Sequence, residues 1–204
     1  MNNFYSLHDN ESQVCKVGNY FTPNELGQIP DGSVVIDFTG GDKNHKKSLL
    51  KNLSEKNCII YSDLTCFNPE EFYAEFPKLY GVFSALLLTP KNKIELHWKN
   101  YSKDVETFFK ESKLELVPIK TLSIGFIYPR ILAQIINEAY FALAEKIATP
   151  EDIDRAMLFG VNYPQGPFAW SKGREAVIAR LINELKLNTK NKRYDLCESL
   201  QSYL

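Results

Sequence analysis

The spacing of apolar positions divides the chain into two regimes. Before residue 120, compact apolar runs recur between turn signals: "SVVIDF" (33–38), "CIIYSDL" (58–64), "GVFSALLLT" (81–89), "KIELHW" (93–98) and "LELVPI" (114–119). Short β-branched or aliphatic runs bounded by Gly, Pro, Asn and Lys predict buried strands. Helical spacing fills the intervals. Leu49, Leu50 and Leu53 share one face of "HKKSLLKNLSEK" (45–56), and Val105, Phe108 and Phe109 one face of "SKDVETFFKESK" (102–113). Between them "NPEEFYAEFPKLY" predicts a short helix, with Asn68 as cap and Pro69 in its first position. Residues 1–32 are less regular. "SQVCKVGNYF" alternates weakly and suits an edge strand, and "TPNELGQIPDG" is turn chemistry.

From residue 121 the period lengthens. "PRILAQIINEAYFALAEKIA" sets Ile131, Leu132, Ile135, Ile136, Ala139, Leu143 and Ile147 along one stripe, which predicts a long core helix. "TPEDIDRAMLFG" carries its own punctuation: Thr149 caps, Pro150 takes the first turn, Asp152 is the acidic third residue and Gly160 closes the end. "REAVIARLINELKL" (174–187) and "YDLCESLQSYL" (194–204) predict two further helices. The class is α/β plus all-α, with domains at 1–120 and 121–204 and a join too short for a flexible linker.

Composition narrows the function more than the fold. Net charge is −1 over 204 residues, so nothing attracts the chain to nucleic acid or to an acidic membrane surface. No apolar run is long enough to span a bilayer. The N-terminus "MNNFYSLHDNESQV" lacks the basic start and apolar stretch of a secretion signal, and a cytoplasmic location is expected. Cys15, Cys58, Cys66 and Cys197 are scattered without paired spacing, which suits free thiols in a reducing compartment.

The stretch "GFIYPRILAQIINEAYFALAEKIATPEDIDRAMLFGVNYPQGPF" resembles the start of the C-terminal helical domain of 3-hydroxyacyl-CoA dehydrogenases. The family's Gly-Phe-Ile-x-Asn-Arg entry corresponds to Gly125-Phe126-Ile127-Tyr128-Pro129-Arg130, and its Asn-Glu-Ala to residues 137–139. Its Pro-Glu-Asp-Ile-Asp-x-Ala-Met helix corresponds to residues 150–157, and its Gly-x-x-x-Pro-x-Gly-Pro-Phe turn to 160–168. Further back "SDLTCF" stands at a Ser-Asn-Thr-Ser-Ser motif, "FSALLLTP" at a Gly-Leu-His-Phe-Phe-Asn-Pro strand, and "KIELHW" at a Val-Glu-Ile strand. The likeness covers roughly residues 33–204. It implies a truncated Rossmann-like sheet followed by a 6-phosphogluconate-dehydrogenase-C-terminal-like helical domain that forms a homodimer. The implied reaction is NAD-dependent oxidation of a 3-hydroxyacyl-CoA in fatty acid metabolism.

Residue by residue, the resemblance puts that reaction in doubt. The family's general base is a histidine, and its position falls on Leu86, which cannot move a proton. Its substrate-binding asparagine falls on Pro129, which fits a helix start but carries no amide. Glu95 matches the glutamate that orients the base, and Thr65 keeps the hydroxyl of the serine. His97 lies two residues from Glu95 on one strand face and offers a displaced pair, although an edge-strand surface pair explains it as well; His8 and His45 are badly placed for the role. A lone glutamate near a lysine is ordinarily solvated.

The cofactor is in equal doubt. No GxGxxG turn occurs, and only about 32 residues precede the strand that resembles the family's fourth, little more than one βαβ unit of ~30 residues. Most of the dinucleotide-binding half is expected to be missing. Gly41 in "TGG" (39–41) resembles a phosphate loop but is explained by a turn between strand and helix. Lys46 matches a family lysine near the cofactor ribose but is explained as an exposed helix lysine. "NYPQGPF" (162–168) is expected to be a rigid turn packing Tyr163 and Phe168 rather than a substrate loop.

The expectation is a catalytically degenerate homologue, with no bound cofactor (NAD by resemblance only), acting as a homodimer or an acyl-CoA binder. Two alternatives stand beside it. One is an active oxidoreductase with a relocated site, or with its Rossmann half supplied by a partner. The other is a pure dimerisation module. Neither metal nor nucleic acid is expected.

Overall fold

The computed structural model describes residues 4–14, 18–88 and 91–204. The chain divides into two compact units, Met1–Phe126 and Ile127–Leu204. Cys15, and Thr89 and Pro90 after the run at 81–88, lie outside the described residues.

The first unit is built on a seven-stranded sheet. Its strands are β1 (Phe4–Leu7), β2 (Asn19–Phe21), β3 (Val34–Asp37), β4 (Ile59–Asp63), β5 (Leu79–Phe83), β6 (Lys93–Trp98) and β7 (Glu115–Pro118), in the order β2-β1-β3-β4-β5-β6-β7. All pairings are parallel except β5 with β6. Helices α1 (Lys43–Glu55), α2 (Pro69–Glu75) and α3 (Lys103–Glu111) connect them. Strand alternation assigns the two faces. Ile36, Phe38, Phe83, Ile94 and Leu96 point into one cluster with Val105, Phe108 and Phe109 of α3. Asp37 lies one position out of phase with Ile36 and Phe38, on the opposite face, where Lys46 of α1 reaches it.

The edge strand expected in "SQVCKVGNYF" is present as β2, but the sheet corrects the expectation that most of the half before β3 is missing. The far side of β3 is not empty: β1 lies against it in parallel register, Phe4 opposite Val34 and Leu7 opposite Asp37, and β2 pairs outside β1. The half is shortened rather than missing. Residues 8–18 carry the chain from β1 to β2, fewer than the dozen or more of an ordinary parallel crossover. A six-residue 3-10 turn, Pro23–Gln28, replaces a helix on the way to β3. The chain therefore reverses direction across the sheet between β1 and β3.

The run at 81–89 is corrected as well. It pairs as a strand only from Leu79 to Phe83, because Ala85 N–H turns away to the carboxylate of Asp63. β6 is not an edge strand but an interior one, covered by β7.

The second unit is helical: α4 (Tyr128–Ala144), α5 (Pro150–Gly160), α6 (Pro167–Ser171), α7 (Glu175–Thr189) and α8 (Glu198–Gln201). Pro129 sits in the first turn of α4, where its missing N–H costs nothing. Leu132, Ala133, Ile136 and Ala139 are buried on α4, which packs against α7 and its buried Val177, Ile178, Leu181 and Ile182. The long stripe inferred from the sequence is two adjacent stripes, and only one faces α7. Ile131 is 57% exposed, and Ile147, beyond the helix end at Ala144, is 69% exposed. Thr149 caps α5 by accepting from Asp152 N–H at 3.2 Å, as its sequence predicts. Gly160 does not close the helix, however. Asn162 takes the left-handed conformation at φ 57°, while Tyr163 N–H returns to Met157 O. The last helix shrinks to Glu198–Gln201, since Lys192–Tyr194 forms a separate 3-10 turn. Among the described residues no helix is long and apolar enough to cross a membrane.

Candidate functional site

In open α/β sheets ligands gather beyond the carboxyl ends of the strands, where the winding reverses. Here that point lies between β1 and β3. It is bordered by the loop after β1 (residues 8–14) and the turn after β3 (38–42).

The turn after β3 stands on a buried ionic cluster. Lys46 Nζ donates to Asp37 Oδ2 at 2.7 Å, to Thr39 O at 2.7 Å and to Thr39 Oγ1 at 3.0 Å. All three ammonium donors are thus used. Asp37 also accepts from Thr39 N–H at 2.9 Å, from Thr39 Oγ1 at 2.6 Å and from Ser62 Oγ at 2.5 Å. Lys46 and Asp37 are both fully buried. A buried ion pair survives only when its remaining bonds are made, and these are. The expectation of an exposed Lys46 is therefore overturned: residue 37, at the end of β3, offers a carboxylate that the "HKKSLLK" pattern does not reveal. At the end of β4, Asp63 accepts from Thr65 N–H at 2.8 Å and from Ala85 N–H. Burial pushes its carboxyl up to about 6, against the pull of Lys46 and of those N–H groups.

The loop after β1 is bolted to this turn. Asp9 Oδ1 accepts from Glu11 N–H at 2.9 Å and Ser12 N–H at 3.1 Å, and its Oδ2 accepts from Gly40 N–H at 2.7 Å. Glu11 Oε2 accepts from Gly41 N–H at 3.2 Å, and Ser12 Oγ donates to Phe38 O at 2.8 Å. A Cβ on Gly40 would lie 1.8 Å from Glu11 Oε2, so a larger residue there would push that carboxylate aside. Gly41 sits at φ +84°. His8 is buried, shares a 3.0 Å hydrogen bond with Ser6 and stacks on Phe38.

The residues singled out from the sequence are dispersed. Leu86 is 1% exposed, and its carbonyl accepts from the Gln13 side-chain amide. Thr65 is buried in the turn held by Asp63. Glu95 is 9% exposed rather than solvated; its backbone exchanges bonds with Ser84, whose N–H donates to Glu95 O and whose hydroxyl accepts from Glu95 N–H. His97 is half-buried and turns to Tyr73, with 3.2 Å between its Nδ1 and the Tyr73 hydroxyl; burial, aided by the charge of Lys99, holds its pKa below the ordinary value. Lys46 and Gly41 border the same turn. Sequence reasoning missed Asp9, Glu11, Asp37, Ser62 and Asp63. A signal existed for two of them, since "VVID" and "IIYSD" each end a buried run on an aspartate. Among the described residues no cluster of His, Cys, Asp and Glu is arranged to hold a metal ion, and Cys58, Cys66 and Cys197 are buried free thiols.

In the helical unit the motif residues make structural bonds. Asn137 is buried; its amide donates to Asp195 O at 2.9 Å and its oxygen accepts from Cys197 N–H at 3.0 Å. Asp154 accepts from Phe168 N–H at 2.8 Å and Ala169 N–H at 3.0 Å, so a carboxylate from α5 caps α6. A Cβ on Gly166 would lie 2.2 Å from that carboxyl carbon, which explains the glycine in "PQGPF". Phe168 packs on Tyr140, and Tyr163 on Trp170. Arg130 lies over the Tyr194 ring and bonds its hydroxyl. A groove of about 480 Å³ between α4 and α5 is lined by Ile135, Ala139, Ala142, Ile153 and Met157.

Known proteins agree with this architecture. Residues 125–204 match the family described as 3-hydroxyacyl-CoA dehydrogenase, C-terminal domain. The chain is 28% identical over 178 residues to a 3-hydroxybutyryl-CoA dehydrogenase of Clostridioides difficile, covering 81% of this chain and 63% of that protein. It is 42% identical over 79 residues to a 3-hydroxyadipyl-CoA dehydrogenase of Escherichia coli (strain K12), covering 38% of this chain and 16% of that one. The chain thus spans less than two thirds of these relatives. Among solved structures, the (S)-3-hydroxybutyryl-CoA dehydrogenase of Ralstonia eutropha overlays with a TM-score of 0.67 at 22% identity, over 90% of this chain and 68% of that one. The FadB2 protein of M. tuberculosis overlays at 0.72 and 16% identity, over 90% and 69%. At those identities the overlays speak for the fold alone. Residues 125–204 thus match the C-terminal domain of the 3-hydroxyacyl-CoA dehydrogenases, and the chain as a whole is similar in sequence and fold to members of that family.

Proposed function

We propose that this chain is a non-catalytic homologue of the 3-hydroxyacyl-CoA dehydrogenases, acting as a homodimer that retains an acyl-CoA groove. One observation carries this reading. At the position that the family resemblance gives to the proton-accepting histidine stands Leu86, a buried aliphatic side chain. The chain there is fixed by Asp63 on Ala85 N–H and by Gln13 on the Leu86 carbonyl. His97 meets Tyr73, and Lys46 spends its donors on Asp37 and Thr39.

The residues present do not fit the NAD that the family reaction uses. In this fold the pyrophosphate lies on a glycine-rich turn after the first strand, and the loop after β1 here carries Asp9 and Glu11 instead. Gly40 and Gly41 N–H are already bonded to Asp9 and Glu11, whose charges would also repel a pyrophosphate. The dimer is supported by apolar side chains that the helical unit leaves exposed: Ile131, Ile147 and Phe159, the last 82% exposed.

The deciding experiment mixes purified chain with 3-hydroxybutyryl-CoA and NAD and follows reduced nicotinamide by absorbance. No turnover above background is expected, whereas sustained turnover sinks the reading. A thermal-shift titration with acetoacetyl-CoA is expected to stabilise the chain, and NAD to leave it unmoved. Sedimentation is expected to show a dimer, and a monomer at micromolar concentration removes that part of the reading.

A further inference from the structure

We propose that the turn after α7 is a phosphate-binding site, in which the guanidinium groups of Arg130 and Arg193, both held against the ring of Tyr194, take one phosphate group between them. This goes beyond the reading above and uses none of the residues that carry it, so either can fail without the other.

Helices α4 and α7 build the site together. Asn191 Oδ1 accepts from Arg193 N–H at 3.0 Å and Tyr194 N–H donates to Asn191 O at 3.1 Å, which fixes the short turn Lys192–Tyr194. Asn137 of α4 pins the following residue by donating to Asp195 O. Tyr194 is sunk to 2% exposure, and its ring carries two cations. The guanidinium carbons of Arg130 and Arg193 each lie 5.2 Å from the ring centre. They are at most twice that distance apart, which one phosphate with a hydrogen bond to each can span. The negative face of the ring and the Tyr194 hydroxyl explain why the two arginines stay in place. They do not explain why neither is neutralised. Arg130 donates from Nε and Nη2 to the Tyr194 hydroxyl and keeps its other N–H groups. Among the described residues the Arg193 side chain has no hydrogen-bond partner, and no carboxylate pairs with either arginine. Asp195, next in the chain, is taken by Lys186. Lys190 and Lys192 are exposed on the same turn and add to the positive charge. The carboxyl end of a helix favours cations, which accounts for the lysines but not for two guanidinium forks fixed around one ring. Forks that are held in place and still unpaired suit phosphate oxygens, which they bond bidentately. Two uncompensated charges favour a phosphate dianion over a carboxylate. A cleft of about 390 Å³ opens beside Tyr194, lined also by Asn183, Lys186 and Gln201, and leaves room for the group that bears the phosphate.

The test titrates the whole chain with inorganic phosphate, with chloride holding ionic strength constant, and follows the Nε–H resonances of Arg130 and Arg193. Both are expected to move along one saturating curve. Acetate is the second arm and is expected to bind about tenfold more weakly, because it carries one charge where phosphate carries nearly two. Arg193 is exposed, so its variants are expected to fold. Arg193→Gln is expected to lose about tenfold or more in phosphate affinity, the worth of one charge-assisted contact. Arg193→Lys, which keeps the charge without the fork, is expected to recover part of the loss. Resonances that follow ionic strength alone overturn the site, as does acetate binding as tightly as phosphate. So does a folded Arg193→Gln that binds phosphate like the parent, the result expected if Arg193 only packs on Tyr194.

Discussion

The two units have treated their inherited motifs differently. In the helical unit the motif residues that remain are those whose polar atoms hold the backbone. Asn137 joins α4 to residues 195 and 197, Asp154 caps α6, and Gly166 makes room for Asp154. In the α/β unit the position that the resemblance gives to the proton-accepting histidine carries Leu86, while the charged groups at the strand ends are engaged with one another or with backbone N–H groups. A residue that binds only a ligand is free to change when the ligand is no longer used. A residue that closes a helix end is not, because its loss leaves buried donors unpaired.

That contrast implies that the buried charges of the first unit are structural. The largest expected effect follows. Lys46→Ala leaves Asp37 buried and uncompensated, and should cost about 3–5 kcal/mol of unfolding free energy in a denaturant titration. If the loss is below about 1 kcal/mol, Lys46 is spare in the fold, and a binding role returns. Asn137→Ala tests the other unit and should cost about 2–3 kcal/mol for two bonds to buried backbone, with faster hydrogen exchange at the Cys197 amide. An unchanged Cys197 amide would mean that the Asn-Glu-Ala motif is held for something other than packing.

The sequence showed the second unit more fully than the first because the physics there is local. Thr149 and Asp152 lie within one helical turn. The contacts that decide the crevice are long-range. Glu11 and Gly41 are far apart in sequence, and "HDNES" looks like any polar turn. "FYSL" is too short and too mixed to announce a strand until β3 is there to pair with it. Lys46 looks exposed among lysines until strand alternation brings Asp37 under it. Exposure of Ile131 was hidden in the same way, since periodicity gives the face of a helix but not which of two adjacent stripes finds a partner.

Asp63 gives a smaller, pH-dependent effect. Its carboxyl titrates at about 6 in the folded chain against an ordinary 3.8, with burial as the main cause. A raised carboxylate pKa means that the folded state binds the proton more readily than the unfolded one. The contribution is present when Asp63 is protonated and is lost as pH rises through about 6. Between about pH 7 and about pH 5 the parent should gain about 1 kcal/mol relative to Asp63→Ala, read from paired denaturant curves. Parallel curves for the two proteins would show that the N–H groups of Thr65 and Ala85 keep the carboxylate charged throughout.

The smallest expected effect is the most informative about the contrast between the units. Leu86→His returns an imidazole to the position the family gives to its base. If the base were the one thing lost, this substitution should produce reduction of NAD by 3-hydroxybutyryl-CoA. We expect none above background, because a proton acceptor does not reopen the donors of Gly40 and Gly41 that Asp9 and Glu11 hold. Nor does it restore the amide that Pro129 lacks at the start of α4. On the proposed reading several groups that served chemistry rather than packing have changed together, so no single reversal recovers the reaction. Turnover in Leu86→His alone would collapse that account to one missing side chain and make the α/β unit a working site awaiting its base.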